Sequence, residues 1–181
     1  MAFIGEFNKQ FKEGLAQYGF VYNSKYKAHV RMVNGEILQY IMYESEMAYQ
    51  RGNKAFTIFA GMLSVYCEEL TREDLQMFGR RLYDFSYDKK DLRGWEYNDS
   101  TMLEMIERSL FRTKEVILPF FDQVTDLNSY IEFKKYYGID SLDGVHKFRY
   151  DSLVFFKADN HDDFMDMFTK EMEEVRENLK K

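Results

Sequence analysis

The residues able to do chemistry in this chain are scattered along it rather than grouped into a catalytic motif. Two triplets, Asp88-Lys89-Lys90 and Glu132-Phe133-Lys134, carry the residue types of a metal-dependent nuclease. In such enzymes acidic side chains hold the ion and a lysine lies near the scissile phosphate. Because such triplets also arise by chance in any charged chain, they support a hydrolase or nuclease with dispersed carboxylates as an alternative function.

His161 lies in an acidic stretch, where Asp162 or Asp166 could complete a divalent metal site. The same stretch is also typical of a helix start, since Asn160 is a good N-cap and aspartates in a first turn complement the helix dipole. The helix start is the favoured interpretation. The sequence therefore predicts no catalytic residue, no metal and no cofactor.

Cys67 and Trp95 are each the single residue of their type. Cys67 follows an apolar run and is predicted to be a small buried hydrophobe, and one cysteine cannot form a disulfide within the chain. Trp95 follows a polar loop. It could be a binding residue on a lid, but the favoured interpretation is a plug that pins the loop to the core.

The clearest local pattern is a hairpin around Asn34-Gly35, flanked by residues that alternate in polarity. A two-residue turn of this type predicts that Val33 pairs with Glu36 and Met32 with Ile37. One face would then join the core. The other face is the candidate binding surface, and it comprises Lys25, Lys27, His29, Arg31, Leu38, Tyr40 and Met42.

This surface combines cations with aromatic and aliphatic side chains, which suits a protein interface with an anionic partner. It would also suit single-stranded nucleic acid, with Tyr40 as a stacking platform. The same pattern is typical of an ordinary solvated sheet face, where lysine and arginine stems cover neighbouring apolar side chains.

Apolar periodicity predicts the elements that carry these residues. The first half reads as a helix followed by strands, and the second half as helices. Gly19 is the predicted stop of the first helix, whose apolar residues recur every three or four positions at Phe3, Phe7, Phe11, Leu15 and Tyr18. Thr101 to Glu104 matches a capping box at the start of a long helix, which Pro119 should kink or end. Thr125 or Asp126 would open a further helix that ends at Gly138. The predicted strands are Phe20 to about Val33, 36–44, 55–67 and 80–87. The strand at 55–67 is apolar on both faces, which is typical of a central strand covered on both sides.

The order of elements predicts an α+β class: an N-terminal helix, an antiparallel sheet of three to five strands, and a mostly helical C-terminal half ending in a helical hairpin. A chain of 181 residues fits a single domain, with a body at 1–137 and a helical extension at 138–181. The net charge of −6 argues against a dedicated nucleic-acid binder. No signal peptide or membrane-spanning run is visible, so a soluble cytoplasmic protein is expected.

Five stretches in order, from the helix end at Leu15 to Phe20 through ILQYI, FTIFAG, RRL…W and ILPFFDQVTDL, resemble the bacterial domain of unknown function 4304 family. The resemblance covers about residues 4–137. It implies the same α+β fold and carries no activity or catalytic residue with it.

The hypothesis most consistent with these observations is a non-enzymatic protein that binds another protein. An immunity or antitoxin role is the most specific form of this hypothesis. Nucleic acid is a weaker partner, no membrane is expected, and the oligomeric state stays open. The acidic C-terminal arm could meet a basic toxin or be a solvated helix face. Its acids are Asp162, Asp163, Asp166, Glu171, Glu173, Glu174 and Glu177.

Overall fold

The computed structural model describes residues 2–64, 75, 79–86 and 94–130. The chain opens with helix α1, Phe3–Leu15, whose buried residues Phe7, Phe11 and Leu15 recur every four positions and form one apolar stripe. A 3₁₀ turn, Ala16–Tyr18, follows, and Gly19 closes it in the left-handed conformation at φ 82°. The predicted stop at Gly19 is confirmed.

An antiparallel sheet follows the helix. Its strands are β1 (Val21–Asn23), β2 (Ala28–Val33), β3 (Ile37–Glu46), β4 (Lys54–Ser64), β5 (Arg80–Arg81) and β6 (Trp95–Tyr97). In the described part of the chain the strands lie in the order β1-β2-β3-β4-β5, and β6 also pairs with β4. Together with the helices this arrangement confirms the α+β class.

The predicted strand from Phe20 to about Val33 is wrong, because a turn divides it into β1 and β2. The Asn23 side-chain oxygen accepts hydrogen bonds from the backbone N–H groups of Lys25 and Tyr26, at 3.0 and 3.3 Å. Lys27 then adopts a positive φ of 51°. An asparagine that caps its own turn in this way ends a strand even where the polarity alternates.

The remaining helices follow the short strand β5. They are α2 (Leu82–Ser86), α3 (Met102–Arg112), a π-helical turn at Thr113–Ile117, and α4 (Leu118–Phe121). The predicted strand at 80–87 is thus mostly helix. Pro119 lies just after the π-turn, where the altered winding accommodates its missing N–H, and the helical run ends two residues later at Phe121.

The predicted helix start at Thr125 or Asp126 is confirmed. Asp126 opens a helical turn over 127–130, and its side-chain oxygen accepts the Ser129 N–H at 2.7 Å. The capping box predicted at Thr101 is wrong. Thr101 occupies the N-cap position of α3, but its hydroxyl accepts the Asn98 N–H at 3.0 Å and makes no cap to the helix. The predicted helix end at Gly138, the helical extension and the terminal hairpin lie outside the described residues.

The sheet separates two apolar clusters. The larger cluster lies between the sheet and α1, α3 and α4, and includes Phe11, Ile41 and Phe121. The smaller cluster lies on the opposite face and includes Val30, Tyr40 and Leu75. Strand β4 contributes buried residues to both clusters, which confirms the prediction of a central strand covered on both faces. No helix in the described residues is long and apolar enough to cross a membrane.

Candidate functional site

The register of the β2–β3 hairpin differs by one residue from the predicted one. Asn34 and Gly35 do adopt positive φ angles of 51° and 72°, and the Glu36 N–H donates to the Val33 carbonyl at 3.0 Å. Val33, however, pairs with Ile37 rather than Glu36, because Glu36 is an extra residue in the loop. Since side chains alternate between faces, this shift moves each residue of β3 to the opposite side relative to β2.

The seven residues of the candidate binding surface therefore do not share a face. His29 and Arg31 lie on the side of the sheet that α1 covers, opposite Ile41 and Gln39. Leu38, Tyr40 and Met42 are buried in the smaller cluster on the other face. The remaining two, Lys25 and Lys27, are exposed in the turn between β1 and β2.

Arg31 is a structural clamp at the rim of the larger cluster. Its Nε donates to Gln39 Oε1 at 2.6 Å, one terminal nitrogen donates to the Tyr18 carbonyl at 3.0 Å, and the other pairs with Asp122 at 2.6 Å. The guanidinium also lies over the ring of Phe20, 4.9 Å from its centroid. These contacts tie β2 to the segment after α1 and to the end of α4.

Gln39 continues this network into the core. Its side chain is fully buried, and its amide donates to the Phe121 carbonyl at 2.8 Å while its oxygen accepts from Arg31. Both ends of a buried polar group are thus satisfied, which removes most of the free-energy penalty of burying it.

His29 lies two positions from Arg31 on the same strand and face, but its surroundings are apolar. The side chain is 1% exposed, and neither ring nitrogen has a hydrogen-bond partner among the described residues. The nearest rings are those of Tyr22, Phe11 and Phe7, with centroids 5.2, 5.8 and 6.4 Å away. Burial lowers the pKa of His29 from 6.5 to about 4, so the imidazole is neutral near pH 7.

An open groove lies between α1 and β1. It has a volume of about 690 Å³, and its lining is mostly apolar on the sheet side. Lys9, Lys12 and Glu13 line it from α1 and are exposed to solvent. Phe20, Val21 and Tyr22 line it from β1 and the residue before it.

Strand β1 is the edge of the sheet beside this groove. Within the described residues it pairs with β2 alone, so one side of its backbone has no neighbouring strand, and its residues also line the groove. Val21 is 63% exposed there. Sequence reasoning missed this groove because it merged β1 and β2 into one strand. The signal that could have found it is Asn23, whose short polar side chain favours a turn.

The loop between β3 and β4 is a second exposed feature. The Glu96 carboxylate of β6 accepts the backbone N–H groups of Tyr49 and Gln50, at 2.6 and 3.2 Å. Met47 and Tyr49 are nevertheless 89% and 72% exposed. The loop thus presents two large side chains from a backbone that a carboxylate anchors.

Trp95 stacks on Phe56, with the ring centroids 5.6 Å apart and the planes at 26°. It is half-buried and packs against the larger cluster. This packing matches the favoured interpretation of Trp95 as a plug.

The other sequence candidates lie outside the described residues: Cys67, Asp88, Glu132 and His161. Within the described residues, no group of three or more His, Cys, Asp or Glu side chains is placed to hold a metal ion. The triplets behind the nuclease alternative lie outside the described residues, so that alternative stays a prediction.

Comparisons of this chain with protein-family models, with curated proteins and with solved structures find no match. The resemblance to the domain of unknown function 4304 family stays a prediction.

Proposed function

We propose that this protein acts by binding another protein, and that the partner adds an extended segment to the edge of the sheet at β1. The observation that carries this proposal is the edge of β1, which has no neighbouring strand among the described residues and lies beside an open groove. An exposed strand edge is a template for another strand, because the backbone N–H and C=O groups on that side can form a further ladder.

The groove chemistry describes the segment that would fit. Phe20 and Tyr22 supply an apolar floor for alternate side chains of an added strand. Lys9 and Lys12 lie along the helix side, where they would favour a segment that carries carboxylates. We therefore expect the partner segment to alternate apolar and other residues and to be acidic on the side that faces α1.

Site-specific photocrosslinking in the native host tests this proposal. A benzophenone amino acid replaces Val21, which lines the groove, in one tagged full-length protein, and Met32 in a matched control. Both side chains are large, apolar and exposed, at 63% and 49%. We expect one protein to crosslink from position 21 and not from position 32, and the crosslink to persist after nuclease treatment.

The partner identified in this way is then purified and its affinity measured against charge-reversal variants. Lys9→Glu with Lys12→Glu should weaken binding at least 10-fold, about 1.4 kcal/mol, because it places two carboxylates beside an acidic segment. Lys25→Glu with Lys54→Glu changes charge equally at exposed positions outside the groove and should leave affinity unchanged. Equal loss in both variants, or loss only on Met47→Ser with Tyr49→Ser, would overturn the groove as the binding site.

A further inference from the structure

His29 lies directly behind the wall of the groove. It pairs across the strands with Tyr22, and Tyr22 both contacts its ring and lines the groove. Helix α1 closes the site from above with Phe7 and Phe11. The same helix therefore covers His29 with its apolar stripe and forms one wall of the groove with its polar side.

The surroundings of His29 accept the neutral imidazole and not the imidazolium. Phe7 and Phe11 from α1 have no acceptor side-chain group, and Ile41 faces His29 from β3. Tyr22 from β1 is the titratable side chain in ring contact with it. Lys9, Lys12 and Glu13 line the groove on the solvent side of α1. A protonated His29 in this site would be a buried cation without a counter-ion among the described residues.

The contacts that hold α1 against the sheet at this point are apolar. Phe7, Phe11 and Leu15 are the buried residues of the helix, and its N-cap Ala2 makes no side-chain cap. Lifting the helix would hydrate His29 without breaking any strand pairing, because α1 is not part of the ladder. Displacement of α1 is therefore the local opening that gives a proton access to His29.

We propose that α1 is an acid-sensitive latch: protonation of His29 displaces α1 from the sheet and opens the groove beside β1. The consequence that a bound strand would be released in acid rests on the proposed function of the groove. The latch itself is a property of the protein alone. Burial of His29 lowers its pKa to about 4, which supports a closed form that binds the proton far less tightly than the open form.

Hydrogen exchange of the full-length protein, read by mass spectrometry and corrected for the intrinsic pH dependence, tests the latch without any partner. A pKa of 6.5 in the open form and about 4 in the closed form predicts that protection of the α1 amides falls about 20-fold between pH 7 and pH 5. The β3–β4 ladder should stay better protected than α1 at both pH values, because its amides exchange only through global unfolding. His29→Phe places a ring of similar shape among Phe7, Phe11 and Tyr22. In this variant the protection of the α1 amides should fall less than 3-fold between pH 7 and pH 5.

An equal loss of α1 protection in the wild type and in His29→Phe would overturn the latch, because another group would then drive the change. Equal opening free energies for α1 and the β3–β4 ladder at pH 5 would also overturn it, since α1 would then open only in global unfolding. His29→Leu provides a second non-titrating variant if His29→Phe does not fold. Photocrosslinking at position 21 reports on the groove at pH 7, so its failure with a working latch would refute the proposed function and leave the latch intact.

Discussion

Gln39 and His29 are both buried polar residues on the α1 side of the sheet, on neighbouring strands, but their surroundings differ. The Gln39 amide is satisfied at both ends, by Arg31 and by the Phe121 carbonyl. The His29 ring has no hydrogen-bond partner among the described residues and is surrounded by aromatic rings. The same sheet face therefore holds two polar groups with different effects. Gln39 fixes the packing of α4, and His29 makes the packing of α1 depend on pH.

Substitution of Gln39, the residue with both ends satisfied, should lower the free energy of unfolding most. Gln39→Leu removes the acceptor of Arg31 Nε and the donor to the Phe121 carbonyl, so two polar groups lose their partner. We expect the free energy of unfolding to fall by about 3 kcal/mol at pH 7, measured by urea denaturation. Gln39→Glu keeps the acceptor and loses the donor, so it should fall between Gln39→Leu and the wild type. A loss below about 1 kcal/mol for Gln39→Leu would mean that the network contributes little.

Substitution of His29, which has no hydrogen-bond partner among the described residues, should change stability in a way that depends on pH. The pKa of His29 is about 4 in the folded protein against 6.5 for an ordinary histidine, so the unfolded state binds the proton first as the pH falls. The His29 contribution is therefore flat above pH 6.5 and becomes unfavourable between pH 6.5 and 4. Between pH 7 and pH 5, the free energy of unfolding should fall by about 2 kcal/mol more in the wild type than in His29→Phe. Parallel pH profiles of urea denaturation for the two proteins would contradict this.

Substitution of Asp122, the exposed end of the network that Gln39 and Arg31 form, should have the smallest effect. Asp122 pairs with Arg31 at 2.6 Å, but its side chain is 60% exposed, and solvent screens such a pair. Asp122→Asn should therefore lower the free energy of unfolding by about 0.5 kcal/mol, and by less in 1 M salt. A thermal-denaturation series at two salt concentrations measures this. A loss as large as that of Gln39→Leu would show that the ion pair, rather than the buried amide, carries the network.

Local patterns predicted much of the fold. The stripe of Phe7, Phe11 and Leu15 with Gly19 after it set the first helix, and the apolar run of β4 marked a central strand. The helix end near Pro119 and the start at Asp126 also followed from residue types. These features depend on contacts within a few residues, which a sequence pattern carries directly.

The candidate surface was wrong because register is a property of the whole hairpin. One additional loop residue, Glu36, moved Leu38, Tyr40 and Met42 away from His29 and Arg31. A turn at Asn23 then removed Lys25 and Lys27 from the strand. Alternation in the sequence shows that two faces differ in polarity, but it does not show which residues lie opposite each other.

The α+β class, the amphipathic first helix and the central apolar strand all follow from the amino-acid pattern, because periodicity and caps act over short distances. Tertiary packing was needed to bury His29 without a hydrogen-bond partner among the described residues, to make Arg31 a clamp, and to form a groove beside β1. Each of these depends on which elements pack against β1 and β2, and α1, β3 and α4 supply those contacts from up to 91 positions away along the chain.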